Sequence, residues 1–195
     1  MFDDVTKVYI CAIYFRMSSD ELVEAAAKGD LDRVRSLLDA GVAVDAPGGR
    51  YLYSQTALSA AAQEGHLEAC KLLVERKADV NRATRDHALT ALHTASFFGH
   101  TDVVRFLATC PGIDINATNK SGDSALMRAA ERDHPHVVRL LLELDADVTI
   151  TRKDSERSNA LDLARFDTRS LFILDWSNTR ANAIVSELRA ARFHH

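Results

Sequence analysis

One segment of this chain keeps returning at a fixed interval, and that periodicity constrains the fold more than any other feature. QTALSAAAQEGH begins at Gln55, LTALHTASFFGH at Leu89 and DSALMRAAERDH at Asp123. Their central leucines, Leu58, Leu92 and Leu126, are spaced by 34 residues, and Leu161 follows 35 later in NALDLA. Each block leads into a second helical pattern: LEACKLLVERKADVN, TDVVRFLATCPGIDIN and PHVVRLLLELDADVT. Upstream, LVEAAAKGDLDRVRSLLDAGVAVDA fits the same template, and Leu37, Leu73, Leu107 and Leu141 align across the four copies. A period in this range marks stacked supersecondary units.

Each unit reads as a short helix, a tight turn, a longer helix and an extended tip. Thr56, Thr90 and Ser124 precede the first helix, where a hydroxyl caps free backbone N–H groups and contributes about 1 kcal/mol. Ala57, Ala91 and Ala125 follow as good helix formers. Small residues then recur at Ala61, Ala62, Ala95, Ser96, Ala129 and Ala130, where larger side chains would hold neighbouring helices apart. Gly65 and Gly99 end that helix, where a left-handed residue is cheapest as glycine. Leu72, Leu73, Val104, Leu107, Val138 and Leu141 form an apolar stripe on the second helix. Pro135 falls at its first turn, where a missing N–H costs nothing. A single unit cannot bury its apolar face, whereas several stacked units share one continuous core. The expected fold is an all-α repeat solenoid of helix-turn-helix units with short hairpin-like tips.

The pattern resembles the ankyrin repeat. TALHTASFFGH (Thr90–His100), ADVN (Ala78–Asn81) and SGDSALMRAA (Ser121–Ala130) carry the match, which spans roughly Asp20 to Leu163. The departures are local. Alanine stands at the family's proline in Ala57, Ala91, Ala125 and Ala160. The family's first-helix histidine survives only at His93, with Ser59 and Met127 in its place elsewhere. Lys77, Asp145 and Asp133 replace glycines and are expected to carry the cost of a left-handed non-glycine residue. Cys110-Pro111-Gly112 adds one residue to the third tip.

The resemblance divides the chain into an N-terminal extension, residues 1–18, and a repeat domain, residues 19–195. The units fall at about 19–47, 48–83, 84–117, 118–150 and an atypical 151–195 with an insertion at 167–180. The extension carries the apolar run Val8–Phe15, too short for a bilayer span of roughly 20 residues. It either docks on the first repeat or stays disordered, and Met17 offers an alternative start. The 167–180 insertion, with Leu171, Phe172, Ile173 and Trp176, is either a cap on the open end of the stack or a partner-binding hook.

Composition narrows the function. A hydrophobic share of 47% with 27% charged residues is globular rather than disordered. A formal charge of −4 gives no general attraction to nucleic acid or anionic lipid. Cys11, Cys70 and Cys110 lack the paired spacing of a disulfide framework or zinc site, so an intracellular location, cytoplasmic or nuclear, is expected. No phosphate loop, nucleophile elbow, His-Glu-x-x-His or dinucleotide fingerprint occurs, so no catalysis and no cofactor are expected. Asp133, His134 and His136 form only a weak metal pattern, because His134 occupies the same slot as His66 and His100.

The function implied is non-enzymatic binding of a protein partner, as an adaptor or inhibitor, through the concave groove and the tips. Carried over from the family, the groove positions are Gln63 and Glu64, Phe97 and Phe98, and Glu131 and Arg132. Phe97 and Phe98 form an aromatic pair suited to an interface anchor. Tyr51 and Tyr53 lie in the longer first tip, and Arg82 and Arg85 in the second. Counting Arg50, Lys120, Arg152, Lys153 and Arg157 as well, the tips carry seven cationic side chains against four anionic, which suits an acidic partner surface. Two alternatives stand beside this: a scaffold subunit of a permanent complex, and a substrate of asparaginyl hydroxylation at the tip residues Asn81 and Asn116.

Overall fold

A computed structural model describes residues 18–48, 55–153, 158–160, 162–163, 186–188 and 190. Eight helices lie within residues 18–143, further helical residues follow within 160–163 and 186–190, and no strand longer than a single bridge is present among the described residues. Helix α1 comprises residues 18–28. Then follow α2 (Leu31–Asp39), α3 (Ala57–Gln63), α4 (Leu67–Glu75), α5 (Ala91–Phe98), α6 (Thr101–Ala108), α7 (Ala125–Glu131) and α8 (Pro135–Glu143). α3, α5 and α7 pack on one another as an inner layer, and α2, α4, α6 and α8 as an outer layer. The expected repeat solenoid is what the chain forms.

Local chemistry explains each helix start. The hydroxyls of Thr56, Thr90 and Ser124 accept from the N–H groups of Ser59, His93 and Met127. Pro135 occupies the first turn of α8. The inner helices are enclosed on nearly every side, since Ala57 through Ala62 are all buried. Their alanines let three layers meet with little side-chain volume between them. The larger core leucines, Leu58, Leu73, Leu92, Leu107, Leu126 and Leu141, run as a continuous apolar column through the stack.

The turn between paired helices couples one repeat to the next. The His66 ring nitrogen Nε2 bonds the Ala27 carbonyl at 3.1 Å, His100 the Gln63 carbonyl at 2.8 Å and His134 the Phe97 carbonyl at 3.0 Å. Each imidazole lies flat over the glycine of the preceding repeat. A Cβ on Gly99 would sit 2.6 Å from the His134 ring. These glycines are therefore fixed twice, by a positive φ and by the ring above.

The tips interlock in the same head-to-tail manner. Asp79 N–H donates to the Asp45 carboxylate, Asp114 N–H to the Asn81 carboxamide at 2.9 Å, and Asp147 N–H to the Asn116 carboxamide at 2.8 Å. Between the tips and the inner helices the chain doubles back. Gly48 pairs with Gln55, Thr84 with Leu89 and Asn119 with Asp123. Lys120 N–H then donates to the His87 carbonyl at 3.0 Å, and Lys153 N–H to the Ser121 carbonyl at 2.8 Å, so successive turns join as rungs.

The expected left-handed residues are present: Lys77 at φ 70°, Asp133 at 58° and Asp145 at 59°, joined by Ala88 at 55°. Lys77 is exposed and relieving its backbone costs no packing. Lys77→Gly is expected to raise stability by about 0.5–1 kcal/mol, the left-handed penalty less glycine's extra unfolded-state entropy. A melting point about 2 °C higher by circular dichroism would register it. Gly99→Ala should do the reverse and cost about 2–4 kcal/mol, combining strain with overpacking against His134.

Candidate functional site: the concave groove

A groove of about 490 Å³ opens between the inner helices and the doubled-back turns. Ser59, Gln63, Thr94, Phe97 and Phe98 line one wall, from α3 and α5. Thr84, His87, Leu89, Asn119 and Ser121 line the other, and Asp123 and Arg128 close one end. Gln63, Phe97 and Phe98 at the ends of α3 and α5 line the groove, Glu131 and Arg132 at the end of α7 border an adjoining hollow with the same two phenylalanines, and these helix ends, residues 63–64, 97–98 and 131–132, make up the lip.

The aromatic pair divides its roles. Phe98 is 45% exposed, the one large hydrophobic side chain so placed among the described residues. Phe97 is half-buried, and its ring packs edge-on against Phe98 with centroids 5.1 Å apart. Arg128 and Arg132 lie four residues apart and so share one face at the end of α7. Both guanidinium carbons stand 4.2 Å from the Phe97 centroid. The negative face of the ring draws these cations in. Phe97 thus serves as the platform for both arginines while still lining the groove, a division of roles that its identity with Phe98 in the sequence conceals.

A charged network seals the same end. Asp123 is nearly fully buried, yet its carboxylate accepts from Arg152 Nε and from Asn119 Nδ2 at 3.1 Å, with Arg128 Nη1 at 3.8 Å. Arg152 Nη2 also reaches Glu131 at 3.3 Å, and Arg128 Nη1 reaches it at 2.9 Å. Asn119 Oδ1 takes the N–H groups of Ser121 and Asp123, both at 2.9 Å. Two hydrogen-bond donors and a second guanidinium nearby meet this buried carboxylate, and removing its partners would be far costlier than removing a surface pair. Arg152 is therefore engaged in the structure and is not one of the free tip cations that the sequence suggests.

His93 anchors the centre. Its Nδ1 receives the Thr90 N–H at 3.3 Å, and its Nε2 bonds the Asp123 carbonyl at 2.9 Å. A carbonyl only accepts, so Nε2 carries the proton and the ring is neutral. Burial, with a smaller contribution from the Arg128 charge, pulls its pKa below the ordinary value, against the opposing pull of the Asp123 carbonyl.

Of the other expected contacts, Arg82 and Arg85 are exposed at the second tip, and Arg132 is exposed at the lip. Tyr51 and Tyr53, the 167–180 insertion and residues 1–17 lie outside the described residues. Asn81 and Asn116 are both engaged by the next tip, Asn81 through both ends of its carboxamide, since its Nδ2 also donates to the Gly112 carbonyl at 2.7 Å. Cys70 and Cys110 are buried free thiols, and burial, then the nearby Asp102 and Cys110, push the Cys70 thiol up to about 12. Among the described residues no group of three or more His, Cys, Asp or Glu is placed to hold a metal. None of the described helices is long and apolar enough to cross a membrane.

A stack of two-helix units presenting a shallow polar groove with an aromatic lip defines a recognition scaffold. The chain belongs to the ankyrin-repeat family: residues 22–119 and 82–154 match the family described as ankyrin repeats in three copies. It is 33% identical over 129 residues to a transient receptor potential cation channel subfamily A member 1 homolog of Caenorhabditis elegans, covering 66% of this chain and 10% of that protein. It is 30% identical over 128 residues to a putative ankyrin repeat-containing protein of Treponema pallidum, covering 66% of this chain and 42% of that one. It is 40% identical over 92 residues to the human Notch-regulated ankyrin repeat-containing protein, covering 44% of this chain and 75% of that one. The chain thus spans less than half the length of the first two relatives. Ankyrin repeats are in general protein–protein interaction modules and typically non-catalytic.

The buried neutral histidine sets a pH dependence. An unfolded imidazole titrates near 6.5 and the folded one lower. Below pH 6.5 the unfolded chain therefore holds the extra proton, and the His93 contribution to stability falls as pH drops. His93→Met, which places the residue of the fourth repeat in the third, should cost about 1–2 kcal/mol at pH 7.5 through the lost hydrogen bonds. Urea midpoints at pH 7.5 and 5.5 should show the gap between variant and parent narrowing at the lower pH. A gap that is constant or widens would contradict a neutral His93.

Proposed function

We propose that this chain is a non-enzymatic adaptor or inhibitor that holds a protein partner in the concave groove, with Phe98 as its anchor. The observation that carries this reading is the exposure of Phe98 at the groove lip. The ring packs edge-on against Phe97 and lies parallel to the His100 ring, yet still offers a large apolar face to solvent. Aromatic anchors in such positions dominate interface energetics, with truncation often costing 2 kcal/mol or more. Phe97, Arg128 and Arg132 behind it make the lip rigid, so little side-chain entropy is lost on docking.

Arg82, Arg85, Lys120 and Lys153 are exposed along the turns beside the groove. Together with Arg132 they favour a partner that brings carboxylates to that side. The curated relatives include a channel subunit and a Notch-regulated protein, and neither of those roles comes with the groove itself. Fold analogy supports binding and stops there.

The test replaces Phe98 with the photo-crosslinker p-benzoylphenylalanine in the full chain, with Arg105 on the outer layer as the matched control. Crosslinking in native extract should give a discrete adduct from position 98 and none from 105. Phe98→Ser should weaken binding of that partner by roughly 10- to 100-fold, at about 1.4 kcal/mol per decade, with the melting curve unchanged. Adducts from 105 alone, or an affinity indifferent to Phe98→Ser, would overturn the assignment.

A further inference from the structure

Glu64, Phe98 and Arg132 occupy one equivalent position in three successive repeats, the last residue or C-cap of α3, α5 and α7. All three are exposed, and they form a row across the groove lip: an acid, an aromatic and a base. Stacked helices are about 8–10 Å apart, so the ends of the row are separated by roughly 20 Å. That is well beyond the screening length of about 8 Å at physiological salt, and the two charges cannot neutralise one another.

Neither charge is neutralised by the fold. Among the described residues neither Glu64 nor Arg132 has an ion-pair partner, although Lys71 and Arg76 in the unit of Glu64 and Arg128 in that of Arg132 do. Glu64 accepts only the Gln63 amide, at 2.9 Å. It also caps a helix C-terminus, where the dipole disfavours an anion. Arg132 is held flat over Phe97 at 4.2 Å. A stacked guanidinium leaves its in-plane N–H fork open for a carboxylate.

We infer that the groove is a receptor for an extended peptide segment whose charges run in a set order: a basic residue at Glu64, an apolar residue at Phe98 and an acidic residue at Arg132. An extended chain in the polyproline II conformation rises about 3.1 Å per residue with three residues per turn, so side chains three apart return to one face roughly 9 Å further on and match the row. The inference rests on the groove reading above and adds the chemistry of what fills it. It also assigns specificity: a segment with both ends acidic meets Glu64, and one with both ends basic meets Arg132.

The probe is a phage-displayed library of random 16-residue peptides panned on the full chain. Selected clones should share a basic, an apolar and an acidic residue at about three-residue intervals, and salt should weaken them. Panning on Glu64→Arg should exchange the basic residue for an acidic one. Arg132→Glu should exchange the acidic residue for a basic one, and the double variant should return the motif in inverted order. Melting curves matching the parent confirm that these exposed substitutions leave the stack intact. Clones that lose binding on Phe98→Ser but show no charge order, or whose order ignores the reversals, overturn this inference and leave the groove reading standing. An empty selection overturns the peptide inference, and crosslinking at position 98 then decides the groove reading by itself.

Discussion

Everything in this molecule depends on a contact that each repeat makes with the one before it. An imidazole crosses the junction, lies over a left-handed glycine and bonds the carbonyl that ends the preceding inner helix. The contact satisfies a carbonyl that helix geometry leaves without an internal partner. It also fixes the angle at which the next unit stacks. The apolar column supplies most of the stabilisation, but leucines alone would allow sliding. The hydrogen-bonded rung sets the register, and the register makes the lip residues line up as rows.

Regular stacking separates structural positions from free ones. In the inner helices the buried residues are alanine, leucine, serine or threonine, apart from His93 and Met127 at one equivalent position. Those at the end of the helix are at least partly exposed and differ from copy to copy: Gln63 and Glu64, Phe97 and Phe98, Glu131 and Arg132. A solenoid can therefore change what it recognises without changing how it folds. The Phe97 platform is the exception, because Arg128 and Arg132 tie a lip residue into the structure through the ring face.

Most of the architecture was legible in the sequence because local chemistry and repetition carry it. A hydroxyl before alanine-leucine predicts each inner helix, and Thr56, Thr90 and Ser124 all cap as their positions suggest. The strained junctions at Lys77, Asp133 and Asp145 were equally visible, since a residue standing where its sister repeats have glycine inherits the same backbone. The groove was only partly legible. Self-alignment places Phe97 and Phe98 together on the lip but cannot tell which one is exposed, because that depends on two arginines 30 or more positions away. Asn119 and Asp123 gave no signal at all. They read as ordinary turn residues, and their burial arises only when Arg152, one repeat further on, folds back over them. Charge counting along the tips failed for the same reason, since it cannot distinguish a solvated cation from one already bound to a buried carboxylate.

The fourth junction shows how the array copes when the recurring contact is missing. Asp133 takes the left-handed position that glycine holds in the earlier turns. A side chain there is incompatible with a ring stacked overhead, as the 2.6 Å approach at Gly99 demonstrates. The sequence past Ala160 has no Gly-His block to supply such a ring, so the aspartate is tolerated. Among the described residues, Arg139 on α8 pairs with Glu187 beside the buried Leu188, and a second link lies on the side of the turns. The Arg152 guanidinium bridges Asp123 and Glu131, and Lys153 N–H continues the rung to Ser121. Where three junctions share an imidazole bonded to a carbonyl, this one draws on a semi-buried ion network. Ion networks are sensitive to their partners and demand complete satisfaction, so substitutions at Asp123 or Arg152 bear on the groove's end wall and on the last junction together. The same residues that close the recognition surface thus hold the final repeat in place.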